Sequence, residues 1–288
     1  MRKIKLLFSC LVLTTMLHAQ ETFPVNGVAD KRDGCYAFTN ATIVKDAQNT
    51  IQNGIMVIRD GKIIAVGANV AIPKDALVID CKDKFIYPSF IDIYSDYGMP
   101  QVQRPTGGGG FGGPAQLTNN QKGAYGWNQA LKSEVNAYKI FSVDDSKAKP
   151  MREAGFGTVL THQKDGIVRG TGAVVTLSGE KDNFVIVKEK AAALYSFSKG
   201  SSTQSYPSSL MGSIALLRQT YNDAAWYKNN PEAATKEGFN ITLQYFNSNQ
   251  SLPQIFDVQD RGVDLWNMVR ADRIGDEFGV QYVLKAGQ

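Results

Sequence analysis

The chain has 288 residues, of which 43% are apolar and 20% charged, so it has enough apolar material for a core, and global disorder is excluded. The net charge is +4, but three of the 31 basic residues lie in the first five positions, which leaves 28 basic residues against 27 acidic ones. This near-neutral balance argues against a nucleic-acid-binding protein and against a protein held on a membrane surface by charge.

The first 19 residues have the pattern of a secretory signal peptide. A basic start, MRKIK, precedes the short apolar run LLFSCLVLTTML, and Leu17 and Ala19 are placed for cleavage after Ala19. The apolar run is too short for a membrane span, and no stop-transfer segment follows it. The sequence therefore predicts an exported protein, periplasmic or secreted. A lipoprotein signal at Cys10 is the weaker alternative, because Phe8 is bulky where that signal has a small residue.

Export would leave a chain with few cysteines and a single histidine. Cys35 and Cys81 remain, and they could form a disulfide in an oxidising compartment or stay two separate thiols. Their spacing is not that of a metal site. His162 is the one histidine outside the signal peptide, which limits the metal chemistry that the chain can support.

Residues 36 to 87 are predicted to form a small all-β unit after an irregular lead-in. CYAFTNATIV is rich in strand-forming residues, and GIMVIRDGKIIAVG contains two apolar runs joined at Asp60 and Gly61. This junction is a strong hairpin signal, because glycine accepts the positive φ that tight turns need. ALVIDCKDKFIYP adds one or two short strands, and no helix fits in this region.

The composition changes after Pro88. SFIDIYSD is a continuous apolar run of the kind expected for a strand buried on both faces. A glycine-rich insert follows, and Gly107 to Gly112 formally match the dinucleotide-binding pattern G-x-G-x-x-G. No strand precedes the match and no helix follows it, so we interpret it as a flexible surface loop.

Strand and helix patterns then alternate to the end of the chain. Helices are predicted in NQALKSEVNAYKIF, DDSKAKPMREAG, SSLMGSIALLRQTYNDAAWYKNN and RGVDLWNMVRADRIGDEFG, the last ending at Gly279. Strands are predicted in FGTVLTHQ, GAVVTLSG, FVIVKEKAAALYSF, LPQIFDV and VQYVLKAG. This alternation predicts a parallel sheet or a (β/α) barrel.

Several segments resemble the amidohydrolase superfamily. Its entry region looks like three segments of this chain: AFTNATIV, IQNGIMVIRDGKIIAVG and ALVIDCKDKFIYPSFIDIYSD. Its imidazolonepropionase-like members are similar to three further segments: AGFGTVLTHQKDGIVRGTGAVVTLSG, PSSLMGSIALLRQTYNDAAWY and DRGVDLWNMVRADRIGDEFGVQYVLKAG. The resemblance covers roughly Tyr36 to the C-terminus. It implies an α/β protein in which a small β-sandwich, residues 20–87, precedes a TIM-type (β/α)8 barrel, residues 88–288.

About six barrel strands can be counted after Phe85, rather than the eight of a complete barrel. Unpaired edges are a liability that folded proteins avoid. We therefore expect this chain to be the N-terminal part of a longer polypeptide, whose second half lies downstream.

The resemblance also implies zinc or another divalent metal, which activates water for the hydrolysis of non-peptide carbon–nitrogen bonds or a peptide-like amide. The chain departs from the family at the metal ligands. Tyr94 and Asp96 stand where the family has two histidines, after an acid that is kept as Asp92. The later ligand positions fall near Val258 or Asp260 and on Ala286. We therefore interpret Asp92, Tyr94, Asp96, Asp260 and Ala286 as the remains of a metal site.

Composition leads to the same conclusion, because catalytic zinc usually has three protein ligands and one histidine cannot supply them. We expect no cofactor in this portion, which would be the non-catalytic half of a longer hydrolase. A serine nucleophile is disfavoured as well, since there is no G-x-S-x-G motif and His162 is the one available base.

Two alternatives stay open. The first is an active hydrolase with a carboxylate-rich site of Asp92, Asp96, His162 and Asp260, which would suit Mg²⁺, Ca²⁺ or Mn²⁺ better than zinc. The second is a binding module whose barrel mouth, lined by Tyr94, Tyr97 and the glycine-rich loop, holds a small molecule or peptide-like ligand without turning it over.

Overall fold

The computed structural model describes residues 34–103, 115–259 and 265–287. The predicted signal peptide, the glycine-rich match and Asp260 lie outside the described residues. The chain divides into two compact units, with the boundary between Pro88 and Ser89. Within the described ranges, no helix is long and apolar enough to cross a membrane.

The first unit is built from five strands. They are β1 (Cys35–Val44), β2 (Thr50–Arg59), β3 (Lys62–Gly67), β4 (Leu77–Asp80) and β5 (Phe85–Ile86). They form one sheet in the order β3-β2-β1-β4, and β5 also pairs with β1. β2 runs antiparallel to β1 and β3, whereas β4 and β5 run parallel to β1. No helix lies between residues 34 and 88, as predicted. A second layer, which would make this sheet a sandwich, stays a prediction.

The predicted hairpin forms at the expected residues. Arg59 pairs with Lys62, so Asp60 and Gly61 are the two turn residues. Their φ angles are 49° and 74°, and positive φ at both positions is the conformation that matches the twist of the flanking strands.

Cys35 and Cys81 are both free and buried. Cys35 packs in one hydrophobic cluster with Ala37 and Val57, and Cys81 packs in another with Ala41 and Ile43. The disulfide considered from the sequence is therefore not formed in the structure, and the two thiols contribute to separate parts of the core.

The second unit contains a six-stranded sheet. Its strands are β6 (Phe90–Ser95), β7 (Phe156–Thr161), β8 (Val168–Thr176), β9 (Ile186–Ser196), β10 (Gln254–Asp257) and β11 (Tyr282–Lys285). They are ordered as in the sequence, with β6 and β11 at the edges. β8 is antiparallel to both neighbours, and the other five strands run in one direction. The predicted parallel arrangement of the strands is wrong at β8. Only six residues join β7 to β8, and a parallel crossover needs a dozen or more.

Seven helices are described in this unit. They are α1 (Ala137–Ile140), α2 (Asp145–Glu153), α3 (Asp182–Val185), α4 (Leu210–Asn229), α5 (Ala233–Lys236), α6 (Ile241–Asn249) and α7 (Leu265–Phe278). Helices α2, α4 and α7 were predicted, and Gly279 follows α7 with φ 67°. The sequence did not predict α3, α5 or α6.

The helix predicted over NQALKSEVNAYKIF is wrong for most of its length. Only α1 is helical, and the preceding residues pair with β8 through bridges from Leu131 and Asn136. Asparagine side chains favour this arrangement: the Asn128 side chain accepts from the Ala130 amide at 2.9 Å, and the Asn136 side chain donates to the Glu134 carbonyl at 2.8 Å. Such local bonds compete with helix formation.

Both faces of β9 are buried in its second half, residues 191–196, whereas Val187 near its start is exposed. Ala193 and Tyr195 point to one cluster, which includes helix residues from α4, α6 and α7, and Ala192 and Leu194 point to another, which includes Leu160 and Ile255. The alternation follows the two-residue period of a strand. The unit is therefore a mixed α/β structure with helices packed on the outer face of its sheet.

The sheet curls into a nearly closed barrel. Lys285 on the edge strand β11 reaches the ring of Tyr94 on the other edge strand, β6, with Nζ 4.7 Å from the ring centroid. The barrel stays open between these edges. The prediction that β6 is buried on both faces is wrong, because Phe90 and Ile91 are each 65% exposed.

Candidate functional site

The candidate site lies at one end of the curled sheet, where several strands bring polar side chains together. Asp257 and Lys285 are the last residues of β10 and β11, and Tyr94 is the last but one of β6. His162 follows β7 directly. Arg169 is the second residue of β8, which begins at this end because it runs antiparallel. The carboxyl ends of barrel strands are where such folds place their functional sites.

Tyr94, Arg169 and Asp257 form a closed network of hydrogen bonds, which we call the strand-end network. The Tyr94 hydroxyl donates to Asp257 Oδ2. Arg169 Nη1 donates to the Tyr94 hydroxyl at 2.6 Å and to Asp257 Oδ2 at 3.1 Å. The Arg169 and Asp257 side chains are 7% and 9% exposed, so this is a buried ion pair. Burial raises the pKa of the Tyr94 phenol well above its ordinary value, so the hydroxyl keeps its proton.

Two lysines add positive charge around the network. Lys164 Nζ lies 4.8 Å from the centroid of the Tyr94 ring, and Lys285 Nζ lies 4.7 Å from it. Lys285 also approaches Asp257 Oδ1 at 3.9 Å and donates to Gln259 Oε1 at 2.6 Å. Two lysines thus lie against the Tyr94 ring, Arg169 bonds to its hydroxyl, and the Asp257 carboxylate lies between Arg169 and Lys285. Cation–π attraction and the carboxylate together hold these charges in place.

His162 is fully buried beside Tyr94, with the two ring centroids 4.7 Å apart. Its two ring nitrogens have no hydrogen-bond partner within the described residues. Burial lowers the pKa of His162 well below its ordinary value, and the charges of Arg169 and Lys164 lower it further. The imidazole is therefore neutral at physiological pH, and one of its nitrogens is an unused acceptor.

The other predicted site residues have simpler surroundings. Asp92 Oδ1 accepts from the Tyr94 amide at 2.9 Å, which is a bond within its own strand. Asp96 forms an exposed ion pair with Lys164 at 3.3 Å. Ala286 is exposed, and the neighbouring Lys285 enters the site instead. Asp260 lies outside the described residues, so its role stays a prediction.

The barrel mouth proposed from the sequence also needs correction at Tyr97. This residue is 3% exposed and packs edge-on against Phe141, with ring centroids 5.7 Å apart. It belongs to the core and does not line an open mouth.

Among the described residues, the donor set does not fit a divalent metal. In residues 34–103, 115–259 and 265–287, no three histidine, cysteine, aspartate or glutamate side chains come together in a way that could hold an ion. The carboxylate of the strand-end network, Asp257, is already paired with Arg169. A metal ion would also meet the positive charges of Lys164 and Lys285, which oppose its binding.

Sequence reasoning found Tyr94 and His162 but missed Arg169, Asp257 and Lys285. A usable signal was present, because each of these three residues is the one charged residue in a largely apolar strand pattern: IVRGTGAVV, QIFDV and YVLK. A charge in such a run is rarely buried without a partner. The partners themselves could not be predicted, since Tyr94 and Asp257 are 163 residues apart.

A second polar cluster, which we call the loop clamp, lies outside this network. The Asp165 carboxylate pairs with Lys132 Nζ, accepts from the Ser201 amide at 2.6 Å and accepts from the Ser201 hydroxyl at 2.7 Å. A β-carbon on Gly200 would lie 2.0 Å from Asp165 Oδ1, so glycine is needed there. Every polar group of the clamp has a partner within the clamp, which indicates a structural role.

No family model matches the sequence, and no curated protein matches it. Among solved structures, an amidohydrolase from Thermotoga maritima MSB8 matches with a TM-score of 0.64 and 22% identity, over 86% of this chain and 63% of that chain. A second amidohydrolase matches with 12% identity, over 84% of this chain and 59% of that chain. A prolidase complexed with N-methylphosphonate-L-proline matches with 10% identity, over 87% of this chain and 66% of that chain. Both matches have a TM-score of 0.36, which is too low to support an argument.

The resemblance to the amidohydrolase superfamily is therefore confirmed at the level of the fold. The chain spans about 63% of the length of the Thermotoga maritima structure that it matches.

Proposed function

We propose that this chain is the non-catalytic part of an exported, amidohydrolase-like protein. The chemistry of such a protein would be metal-dependent hydrolysis of non-peptide carbon–nitrogen bonds. This chain would supply barrel strands and one wall of the site, and the metal ligands would come from the rest of the protein. The observation that carries the proposal is the strand-end network of Tyr94, Arg169 and Asp257, which lies where the family resemblance places the metal.

Electrostatics supports this assignment. Two unit charges 4 Å apart interact by roughly 4 kcal/mol at the effective dielectric typical of sites near a protein surface, and the figure doubles for a divalent ion. A metal bound to Asp257 would lie within a few ångströms of the Arg169 guanidinium and would have to displace it. The buried arginine already neutralises the carboxylate, so the network is satisfied without a metal.

The two edges of the curled sheet support the existence of further barrel strands. Phe90, Ile91 and Ile93 on β6 are 65%, 65% and 54% exposed, and Val283 on β11 is 49% exposed. Exposed apolar edge strands invite unwanted pairing and are usually covered. We propose that further (β/α) units of the same polypeptide pair with β6 and β11 and close the barrel, and that these units carry the catalytic metal.

The test is a metal count on the native gene product at its natural length. Zinc, manganese and magnesium per chain are measured by plasma mass spectrometry for the wild type and for Asp257→Asn. We expect the metal content to be unchanged, while the melting temperature falls because the network is broken. Asp276→Asn, at an exposed position of α7, is the matched control for loss of a carboxylate. The loss of one metal ion per chain in Asp257→Asn alone would show that Asp257 is a ligand and would overturn the proposal.

Export belongs to the same proposal, and its support is the pattern of residues 1–19. N-terminal sequencing of the protein from its own cell tests it directly. A mature chain that begins at Gln20 is the expected result, and a chain that still begins at Met1 would contradict export by this signal.

A further inference from the structure

A cavity of about 250 Å³ lies next to the strand-end network, between the segment that follows β6 and the segment that follows β7. Its polar wall is formed by Asp96, Gln101, Gln163 and Lys164, and its apolar wall by Met99, Pro100 and Val102. Pockets for drug-sized ligands measure about 300–1,000 Å³, so this one suits a smaller molecule. All the lining residues belong to the second unit.

The polar wall presents two opposite charges side by side. Lys164 Nζ and Asp96 Oδ1 are 3.3 Å apart, and the two side chains are 33% and 63% exposed. Because the pair is open to solvent, it contributes little to stability. Both charges are accessible to a ligand, and Lys164 is also held against the Tyr94 ring, which restricts its position.

Gln163 adds a second donor beside the lysine. Its Nε2 donates to the Pro100 carbonyl at 3.1 Å, which fixes the orientation of the amide. An amide nitrogen carries two hydrogens, so one N–H remains for a ligand. The cavity therefore has a pair of donors, Gln163 Nε2 and Lys164 Nζ, next to one anionic acceptor, Asp96. A carboxylate accepts two such hydrogen bonds, and an ammonium group donates to an acid.

We infer that this cavity binds a free α-amino acid. The carboxylate of the amino acid would accept from Lys164 and Gln163, its ammonium group would donate to Asp96, and its side chain would lie against Met99 and Val102. A molecule with both charges suits the exposed ion pair, because it offers each member an opposite charge. This inference goes beyond the proposed function, since binding here needs neither a metal nor turnover.

The first experiment screens the twenty free amino acids against the native gene product by thermal shift, and the best one is then titrated by calorimetry. We expect saturable binding of at least one of them. The amide of that amino acid, which lacks the carboxylate, and its N-acetyl derivative, which lacks the ammonium group, should each bind about tenfold more weakly or worse. The absence of saturable binding by all twenty would overturn the inference.

Two variants assign the two ends of the ligand. Lys164→Met should lower the affinity for the amino acid and for its N-acetyl derivative about tenfold and leave the affinity for the amide unchanged. Asp96→Asn should lower the affinity for the amino acid and for its amide and leave the affinity for the N-acetyl derivative unchanged. Lys149→Met, at an exposed position of α2, is the matched control. Circular dichroism confirms that each variant is folded. Equal binding of each ligand by both variants and the wild type would show that the site is elsewhere and would contradict the assignment.

Discussion

Arg169 is the residue on which the strand-end network depends most, because it bonds to both of the other members. Its replacement by methionine would leave the Asp257 carboxylate buried and without its hydrogen-bonded cation, with Lys285 Nζ 3.9 Å from its other oxygen. We expect Arg169→Met to lower the free energy of unfolding by about 3–5 kcal/mol, the usual cost of breaking a buried ion pair by removing one partner. Denaturant titration measures the loss.

Arg218 provides the control for this experiment. It forms a bidentate ion pair with Glu277, but the two side chains are 50% and 38% exposed. We expect Arg218→Met to cost less than about 1 kcal/mol, since exposed pairs contribute little. Similar losses for the two arginines would contradict the role that we give to burial at Arg169.

Gly170, the neighbour of Arg169, is a position where an added β-carbon would lower the stability of the fold. Its φ is 77°, and a β-carbon there would lie 2.0 Å from the Val135 carbonyl oxygen. Gly279 has a similar φ of 67°, but a β-carbon there would meet nothing within 4 Å. We expect Gly279→Ala to cost about 1–2 kcal/mol from backbone strain alone, and Gly170→Ala to cost clearly more because the backbone must also move. Thermal unfolding of the two variants separates backbone strain from steric conflict. An equal loss of stability in both would show that the backbone at Val135 moves aside at little cost in free energy.

At the scale of elements, the loop clamp ties three segments of the second unit to one carboxylate. Burial raises the pKa of Asp165, but the hydrogen bonds from Lys132 and Ser201 outweigh burial and bring the pKa below its ordinary value of 3.8. A carboxyl whose pKa is lower in the folded state stabilises the fold above its unfolded pKa, and this contribution is lost as the pH falls through the folded pKa. The clamp should therefore stabilise the protein fully at neutral pH and progressively less below about pH 4.

The measurement compares the wild type with Asp165→Asn at pH 7 and at pH 3. We expect the variant to be less stable by roughly 1–3 kcal/mol at pH 7, because it loses charged hydrogen bonds, and the difference to shrink at pH 3. Asp145→Asn, which removes an exposed partner of Arg152, serves as the comparison. A difference that stays constant between the two pH values would show that the charge of Asp165 is unimportant.

The elements that the sequence predicted correctly are those whose signals are local. The turn at Asp60 and Gly61 needs only two adjacent residues, and the end of α7 needs only Gly279. The helix expected before α1 was wrong because the bridges of Leu131 and Asn136 to β8 are contacts between distant segments. The antiparallel direction of β8 follows from a local feature, because the link from β7 has only six residues and a parallel crossover needs a dozen or more.

At the scale of the whole molecule, the barrel-like fold was predictable from the alternation of strands and helices, and the candidate site was predictable only in part. Tyr94 was placed correctly at the end of a strand, but its partners come from β8 and β10. Burial of β6 was overestimated, because the composition of a strand does not show whether another strand will cover it. Phe90 and Ile91 are apolar residues of the kind found in interior strands, but they are exposed on an edge strand.

The curl that brings β6 and β11 to one site also bears on how the unit folds. Tyr94 and Asp257 are separated by 163 residues, so their contact can form only after the intervening strands have assembled. Interactions that form after the transition state change the unfolding rate and leave the folding rate nearly unaltered. We therefore expect Tyr94→Phe, measured by stopped-flow mixing, to accelerate unfolding several-fold while refolding keeps its rate. The strand-end network would then slow unfolding, so that it determines how long the barrel stays folded once it has formed.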